Sequence, residues 1–292
     1  MQHFDKVEVV SVFASGAAGG NPAPIGYDAQ GMTDADMQAV AKAFGHESGF
    51  VLPAPDDSAC DFEFRFWVPN HEMSMCGHAT IGCVWLLDNL GRLPSDELTI
   101  LTKSGKVSAR IAGRTAEGAA VEITQPKGQI EVISDDTLRD DIISVLGITA
   151  ADLAEFPIQN ASTSRVKTLV PLRSEAILNN LQTDFSRMEA VCTRIGSTGL
   201  YPYAVLDRGQ QIFDARQFPQ SSGYPEDAAT GIAASALSFG LLENGLVDRS
   251  GRQITVHQGR AMNRPSAISI RFDIDGGDLR GCWIGGAVRR GD

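Results

Sequence analysis

Two stretches of the chain are apolar without being periodic. Ile81, Cys83, Val84, Trp85, Leu86, Leu87 and Leu90 leave no polar stripe on the first, and Ile232, Ala233, Ala236, Leu237, Phe239, Leu241 and Leu242 leave none on the second. A helix that is apolar on every side must be wrapped by other elements, so each stretch predicts a buried central helix. Neither reaches the roughly 18 residues of a membrane span, because Asp88 and Asn89 close one and Glu243 and Asn244 the other. Elsewhere the patterns are two-faced. Thr33 with Asp36 predicts a capped helix that turns Met37, Val40, Ala41 and Phe44 inward and stops at Gly45. Residues 62–68 alternate large apolar with polar side chains and predict a strand, halted by Pro69. Shorter β-branched runs predict strands at 6–13, 98–102, 107–111, 120–123, 166–170, 203–206, 211–213, 267–272 and 279–288. Helical spacing recurs around 137–146, 150–155, 174–181 and 185–194.

The two apolar helices begin alike, Glu72 to Thr80 in one and Glu226 to Ala233 in the other. Setting Gly77 on Gly231 brings Glu72 level with Glu226, Ala79 with Ala233, Gly91 with Gly245 and Gly105 with Gly259, without a gap. The chain therefore reads as two copies of one unit. Turn residues at Gln125-Pro126-Lys127-Gly128 mark the junction. The loop before the second helix is the longer, with Pro219 and Gly231 farther apart than Pro69 and Gly77. Each helix opens on a small residue and a glycine, which leaves backbone N–H groups open to an anion. Facing each other, the two starts would form a carboxylate or phosphate site.

Length agrees with that count, since 292 residues suit two domains of about 100–200 residues each. A formal net charge of −11 argues against nucleic acid or an anionic membrane as the main partner. Five irregularly spaced cysteines, Cys60, Cys76, Cys83, Cys192 and Cys282, suit a reduced cytoplasm better than a disulfide framework. The amino terminus, Met1 to Lys6, has no basic region followed by an apolar run and reads as lacking an export signal. The small-residue loop from Ala14 to Gly20 runs into Asn21-Pro22-Ala23-Pro24-Ile25, where no helix follows, so it does not match a dinucleotide fingerprint.

Taken together, Gly20-Asn21-Pro22, His46-Glu47-Ser48-Gly49-Phe50-Val51, Cys76-Gly77-His78-Ala79-Thr80, Glu226-Asp227-Ala228-Ala229-Thr230-Gly231 and Gln258-Gly259-Arg260 through Arg264-Pro265-Ser266 resemble the PhzF family of phenazine-biosynthesis-like isomerases over nearly the whole chain. The resemblance implies an α+β, diaminopimelate epimerase-like fold of two pseudo-symmetric domains, each a curled, mostly antiparallel sheet around a central helix. The expected domains are 1–124 with a returning strand at 280–292, and 125–279. It also implies a homodimer, no cofactor and no metal, and a small carboxylate as the substrate. Glu47 takes the place of the family's acid/base, and His78 and Asp227 flank the substrate. Asn21, Cys76, Gly77, Thr230, Gly231 and Ile232 fall at substrate-binding positions. One departure stands out: the family usually carries a serine where this chain has Ile232, which removes a hydroxyl from the site.

The residues themselves permit this chemistry. A carboxylate at a helix–strand junction, partly withdrawn from water, can lift a proton from a carbon beside a carbonyl and return it elsewhere on the same face. His78, in the first turn of a helix, is expected to be neutral and to orient substrate. Asp227 serves equally well as a helix cap or as a catalytic group. Cys76 is the alternative base, with a thiolate favoured by the helix start. Thr230 at its twin position rules out a two-thiol racemase. His71, Cys76 and His78 match no common zinc spacing. A cofactor-free epimerase is the near alternative and a non-catalytic metabolite-binding protein the distant one.

Overall fold

The computed structural model describes residues 6–16, 19–116, 118–221 and 224–291. The start of the amino-terminal stretch, residues 17–18 of the small-residue loop and residues 222–223 of the longer loop lie outside the described residues. The chain divides into two compact units, residues 1–124 with 285–292, and residues 125–284.

In the first unit β1 (Val7–Val12) pairs antiparallel with β2 (Asn21–Gly26). The chain then passes through α1 (Asp34–Phe44), and β3 (Ser48–Pro53) returns parallel to β2. An antiparallel β4 (Phe62–Trp67) follows and carries the two-residue β5 (Glu72–Met73). After α2 (Gly77–Asn89), β6 (Glu97–Thr102) lies parallel to β4. Antiparallel β7 (Gly105–Thr115) and β8 (Gly118–Pro126) complete the run.

The forces behind these elements are the ones the pattern carries. In α1 the Thr33 hydroxyl accepts from the Asp36 amide while the Asp36 carboxylate accepts from the Thr33 amide. Those two bonds satisfy donors that a helix start otherwise leaves open. Met37, Val40 and Ala41 then pack with Phe50 and Trp67. In α2 every residue from Gly77 to Leu87 is buried. Side chains such as Ile81, Leu86 and Leu87 each contribute about 1.5–3 kcal/mol by leaving water. The helix packs on β1, β2 and β3. At Gly82 a Cβ would come within 2.8 Å of Val10 Cγ2, so glycine sets how closely helix and sheet approach.

The segment read as a loop leading into Asn21 is strand β2 from that residue onward. Pro22 and Pro24 stand two apart, so both missing N–H donors fall on one edge and the other edge keeps its full set.

The second unit contains β9 (Gln129–Val132), α3 (Asp136–Leu146), β10 (Gln159–Ser162), β11 (Val166–Leu172), α4 (Glu175–Asn179), α5 (Phe185–Arg194) and β12 (Gly199–Asp207). It continues with β13 (Ile212–Ala215), β14 (Phe218–Pro219), α6 (Gly231–Glu243), β15 (Ile254–Gln258), β16 (Ser266–Asp275) and β17 (Asp278–Gly286). The helix expected over 150–155 is a single 3-10 turn, Ala150–Asp152. Leu153 then turns extended and bridges Leu172, which ends the helical path.

The chain finally returns to the first unit as β18 (Val288–Arg290), antiparallel to β1 with Val12 opposite Val288. The division falls at residue 285, inside the last two residues of β17. The order β18-β1-β2-β3-β4-β6-β7 has the senses antiparallel, antiparallel, parallel, antiparallel, parallel, antiparallel. The order β9-β10-β11-β12-β13-β15-β16 repeats them one for one. Duplication seen in three glycines is thus duplication of a whole topology. No helix among the described residues is long and apolar enough to cross a membrane.

Candidate active site

Gly45 ends α1 in the left-handed region, at φ 69°, and its amide donates to Ala41 O at 2.9 Å. Three residues on, Ser48 begins β3, buried, with its hydroxyl donating to His46 O at 3.1 Å. Glu47 is held between these two anchors. Across from it, Cys76 is the N-cap of α2 in an extended conformation and makes no side-chain capping bond. The strand before it is tied down by Glu72, which accepts from Arg65 Nε at 2.6 Å and from Lys103 Nζ at 2.8 Å.

Three side chains meet there. The Cys76 thiol donates to Glu47 Oε2 at 3.2 Å and lies 3.4 Å from His78 Nδ1, and His78 Nδ1 is 3.5 Å from the same Oε2. Cys76 and His78 are buried, while the Glu47 side chain keeps 30% of its surface exposed. Both contacts of the carboxylate fall on Oε2, leaving Oε1 to whatever occupies the open side. His78 Nε2 is buried without a hydrogen-bond partner, a costly arrangement unless a ligand supplies one.

The thiolate expected at Cys76 is not favoured. Burial pushes the thiol well above its usual value and the Glu47 carboxylate adds to the shift, outweighing the Ala79 amide, which acts in the opposite sense. Cys76 is therefore held as a thiol that donates to Glu47.

The start of α6 has the same backbone and different chemistry. Thr230 is its N-cap, again extended and again without a side-chain capping bond. Glu226, the twin of Glu72, accepts from Arg216 Nε at 2.9 Å and Nη2 at 2.7 Å. Asp227 accepts from the Thr230 hydroxyl and is not itself the N-cap. Gln258, fully buried, organises the rest. Its amide nitrogen donates to Asp227 O at 2.7 Å and Thr230 Oγ1 at 3.2 Å, and its oxygen accepts from Tyr201 Oη at 2.9 Å and the Thr230 amide at 3.3 Å. Burial, and then the charges of Asp227 and Asp214, raise the Tyr201 phenol, which keeps it a donor. Ile232, the twin of His78, is partly exposed in an otherwise buried first turn.

Of the residues singled out by sequence, Glu47, Cys76, Gly77 and His78 form one cluster and Asp227, Thr230, Gly231 and Ile232 form another around the second helix start. Asn21 opens β2 opposite Val12 and is partly buried. His71 is exposed; the group that joins Cys76 and His78 is Glu47, and the three donor atoms lie within 4.8 Å of one another. Gln258 stands in one of the motifs with no role assigned to it there, and Tyr201 and Lys167 stand in none of them. Lys167, on β11, is buried and donates to Thr198 O at 3.4 Å; burial lowers its amine to about 8, against the opposing pull of Asp227. A lysine inside a β-branched run was the signal for it.

Against known proteins, a family profile described as phenazine biosynthesis-like protein matches residues 10–286. An uncharacterized isomerase from Escherichia coli O157:H7 is 28% identical over 96% of this chain and 94% of its own length. The trans-2,3-dihydro-3-hydroxyanthranilate isomerase of Pseudomonas chlororaphis is 26% identical over 91% and 89%. The crystal structure of a PhzF-family protein from Bacillus anthracis superimposes with a TM-score of 0.85 over 98% of this chain and 96% of that one, at 24% identity, which speaks for the fold. The α+β, diaminopimelate epimerase-like fold expected from the motifs is the one found. With the profile spanning nearly the full sequence and the curated relatives named as isomerases, the chain belongs to the PhzC/PhzF family and is an isomerase of that family.

Proposed function

We propose that this isomerase moves a proton within a small carboxylate-bearing metabolite without a cofactor, with Glu47 as the acid/base. The observation that carries the reading is the split environment of the Glu47 carboxylate. Oε2 is held by the Cys76 thiol at 3.2 Å and approached by His78 at 3.5 Å, while Oε1 has no partner among the described residues. A carboxylate fixed at one oxygen and free at the other can accept a proton from substrate carbon and return it on the same face without re-aiming. Electrons left at the donor carbon pass into the adjoining conjugated acid, and the α2 start offers uncapped amides of its first turn to the negative charge that develops. His78 Nε2, buried and unpartnered, is assigned to a substrate acceptor.

Roles for Asp227 and the start of α6 rest on the family resemblance: Asp227 orients substrate, and the Gly231 and Ile232 amides hold its anionic end. The substrate named for the Pseudomonas chlororaphis relative is one candidate. Ile232, an alkyl group where the family carries a hydroxyl, favours an acid with an apolar group at that point. Incubation with a panel of amino and unsaturated acids in deuterated water tests the reading. Label at carbon is expected, and Glu47→Gln should lose it. Saturable binding across the panel without any exchange would instead identify a binding protein.

A further inference from the structure

The three atoms that meet at the Glu47 carboxylate have a second property. Glu47 Oε2, Cys76 Sγ and His78 Nδ1 form a triangle with edges of 3.2, 3.4 and 3.5 Å. Zinc bonds of about 2.3 Å to sulfur and 2.0–2.2 Å to nitrogen and oxygen, set at the tetrahedral angle, give donor separations of roughly 3.3–3.6 Å. The triangle is therefore within a few tenths of an ångström of one face of a zinc tetrahedron before any side chain moves.

We propose that Glu47, Cys76 and His78 form a binding site for a thiophilic divalent cation, zinc being the best fit, and that its occupancy inhibits the enzyme. The donor set mixes thiolate, imidazole and carboxylate, which selects zinc or cobalt over magnesium or calcium. Loss of the thiol proton to solvent balances the charge: one thiolate and one carboxylate neutralise the dication, so the complex adds no net charge to a buried place. His78 ligates through Nδ1, so its proton rests on Nε2. The Glu47 side chain keeps 30% of its surface exposed, which gives the ion a route in. Sequence spacing did not reveal the set, because its third donor lies 29 residues from Cys76. Occupancy draws the Glu47 charge onto the cation through Oε2, which lowers the basicity of Oε1, so a bound metal suppresses proton transfer. The site itself stands whether or not Glu47 is the base.

Titration of the metal-stripped full chain with Co²⁺ tests this without any substrate. One equivalent per chain should bind with a thiolate-to-cobalt charge-transfer absorption, and Zn²⁺ should displace it. Cys76→Ser should abolish the band, Glu47→Gln should keep it with at least tenfold weaker binding, and Cys60→Ser, which removes a more accessible thiol, should change nothing. Circular dichroism checks that Cys76→Ser is folded, and the partly exposed Glu47→Gln gives an independent reading. No band, a band surviving Cys76→Ser, a band lost in Cys60→Ser, or unchanged affinity in Glu47→Gln would each overturn the assignment.

Discussion

The two helix starts differ where their scaffolds do not. Cys76 and Thr230 are both extended N-caps that leave the first amides of α2 and α6 without side-chain partners, and each follows a glutamate clamped by an arginine. Around Cys76 the side chains are Glu47 and His78, three titratable groups in contact. Around Thr230 they are Asp227, Gln258 and Tyr201, in a hydrogen-bonded chain. Duplication has kept the backbone donors in both copies and brought three titratable side chains into mutual contact at one. The helix start is common equipment, and the chemistry is local to what packs beside it.

The sharpest way to break this asymmetry is at the two carboxylates. Glu47→Gln should lower solvent-exchange turnover by about 10²–10⁴-fold, the usual worth of a positioned acid/base, whereas Asp227→Asn should cost less and act mainly on KM. Equal losses in kcat would mean that both starts carry chemistry.

The clamps give the next largest effect. The Arg216–Glu226 side chains are only 12% and 9% exposed, and Arg216→Met strands a buried carboxylate, so urea unfolding should show a loss of about 3 kcal/mol. Arg65→Met should cost distinctly less, because Glu72 keeps Lys103 at 2.8 Å and the Arg65 pair is wetter.

Lys167 separates the units by pH. Its folded value of about 8 lies below the ordinary 10.5, so the unfolded chain binds the proton more tightly. Stability linked to this group is present above about 10.5 and is lost as pH falls through about 8. Lys167→Met should therefore stabilise at pH 7 by up to about 3 kcal/mol and bring no gain above pH 10.5, read as Tm against pH.

The smallest effect contrasts a capped helix with the uncapped pair: Thr33→Ala should cost about 1 kcal/mol in equilibrium unfolding, a loss that has no counterpart at Cys76, where no capping bond exists.

What the sequence carried, and what it did not, follows the range of the forces involved. The α1 capping box is written in two residues three apart, and the apolar α2 and α6 declare burial by composition alone. Pro22 and Pro24 hid β2, because proline is tolerated in a strand where it leaves the used edge intact: at these positions only β1 pairs with β2, and β3 joins it at Ile25 and Gly26. Short strands β9 and β10, Gln129–Val132 and Gln159–Ser162, are too polar and brief to alternate visibly. Glu47 was found through its motif, but its contact with Cys76 and His78 depends on how far α2 sinks onto β3. At Gly49 a Cβ would come within 2.8 Å of Cys83 Sγ, a spacing no local pattern encodes. The Gln258 network likewise joins residues up to 57 positions apart.

One consequence follows from β18. Because residues 288–290 pair with β1, a ribosome making this chain must deliver all of the second unit before the sheet begun at Val7 gains that outer partner. Until then the nascent first unit exposes a bare row of amides and carbonyls along β1, which a holdase could shelter.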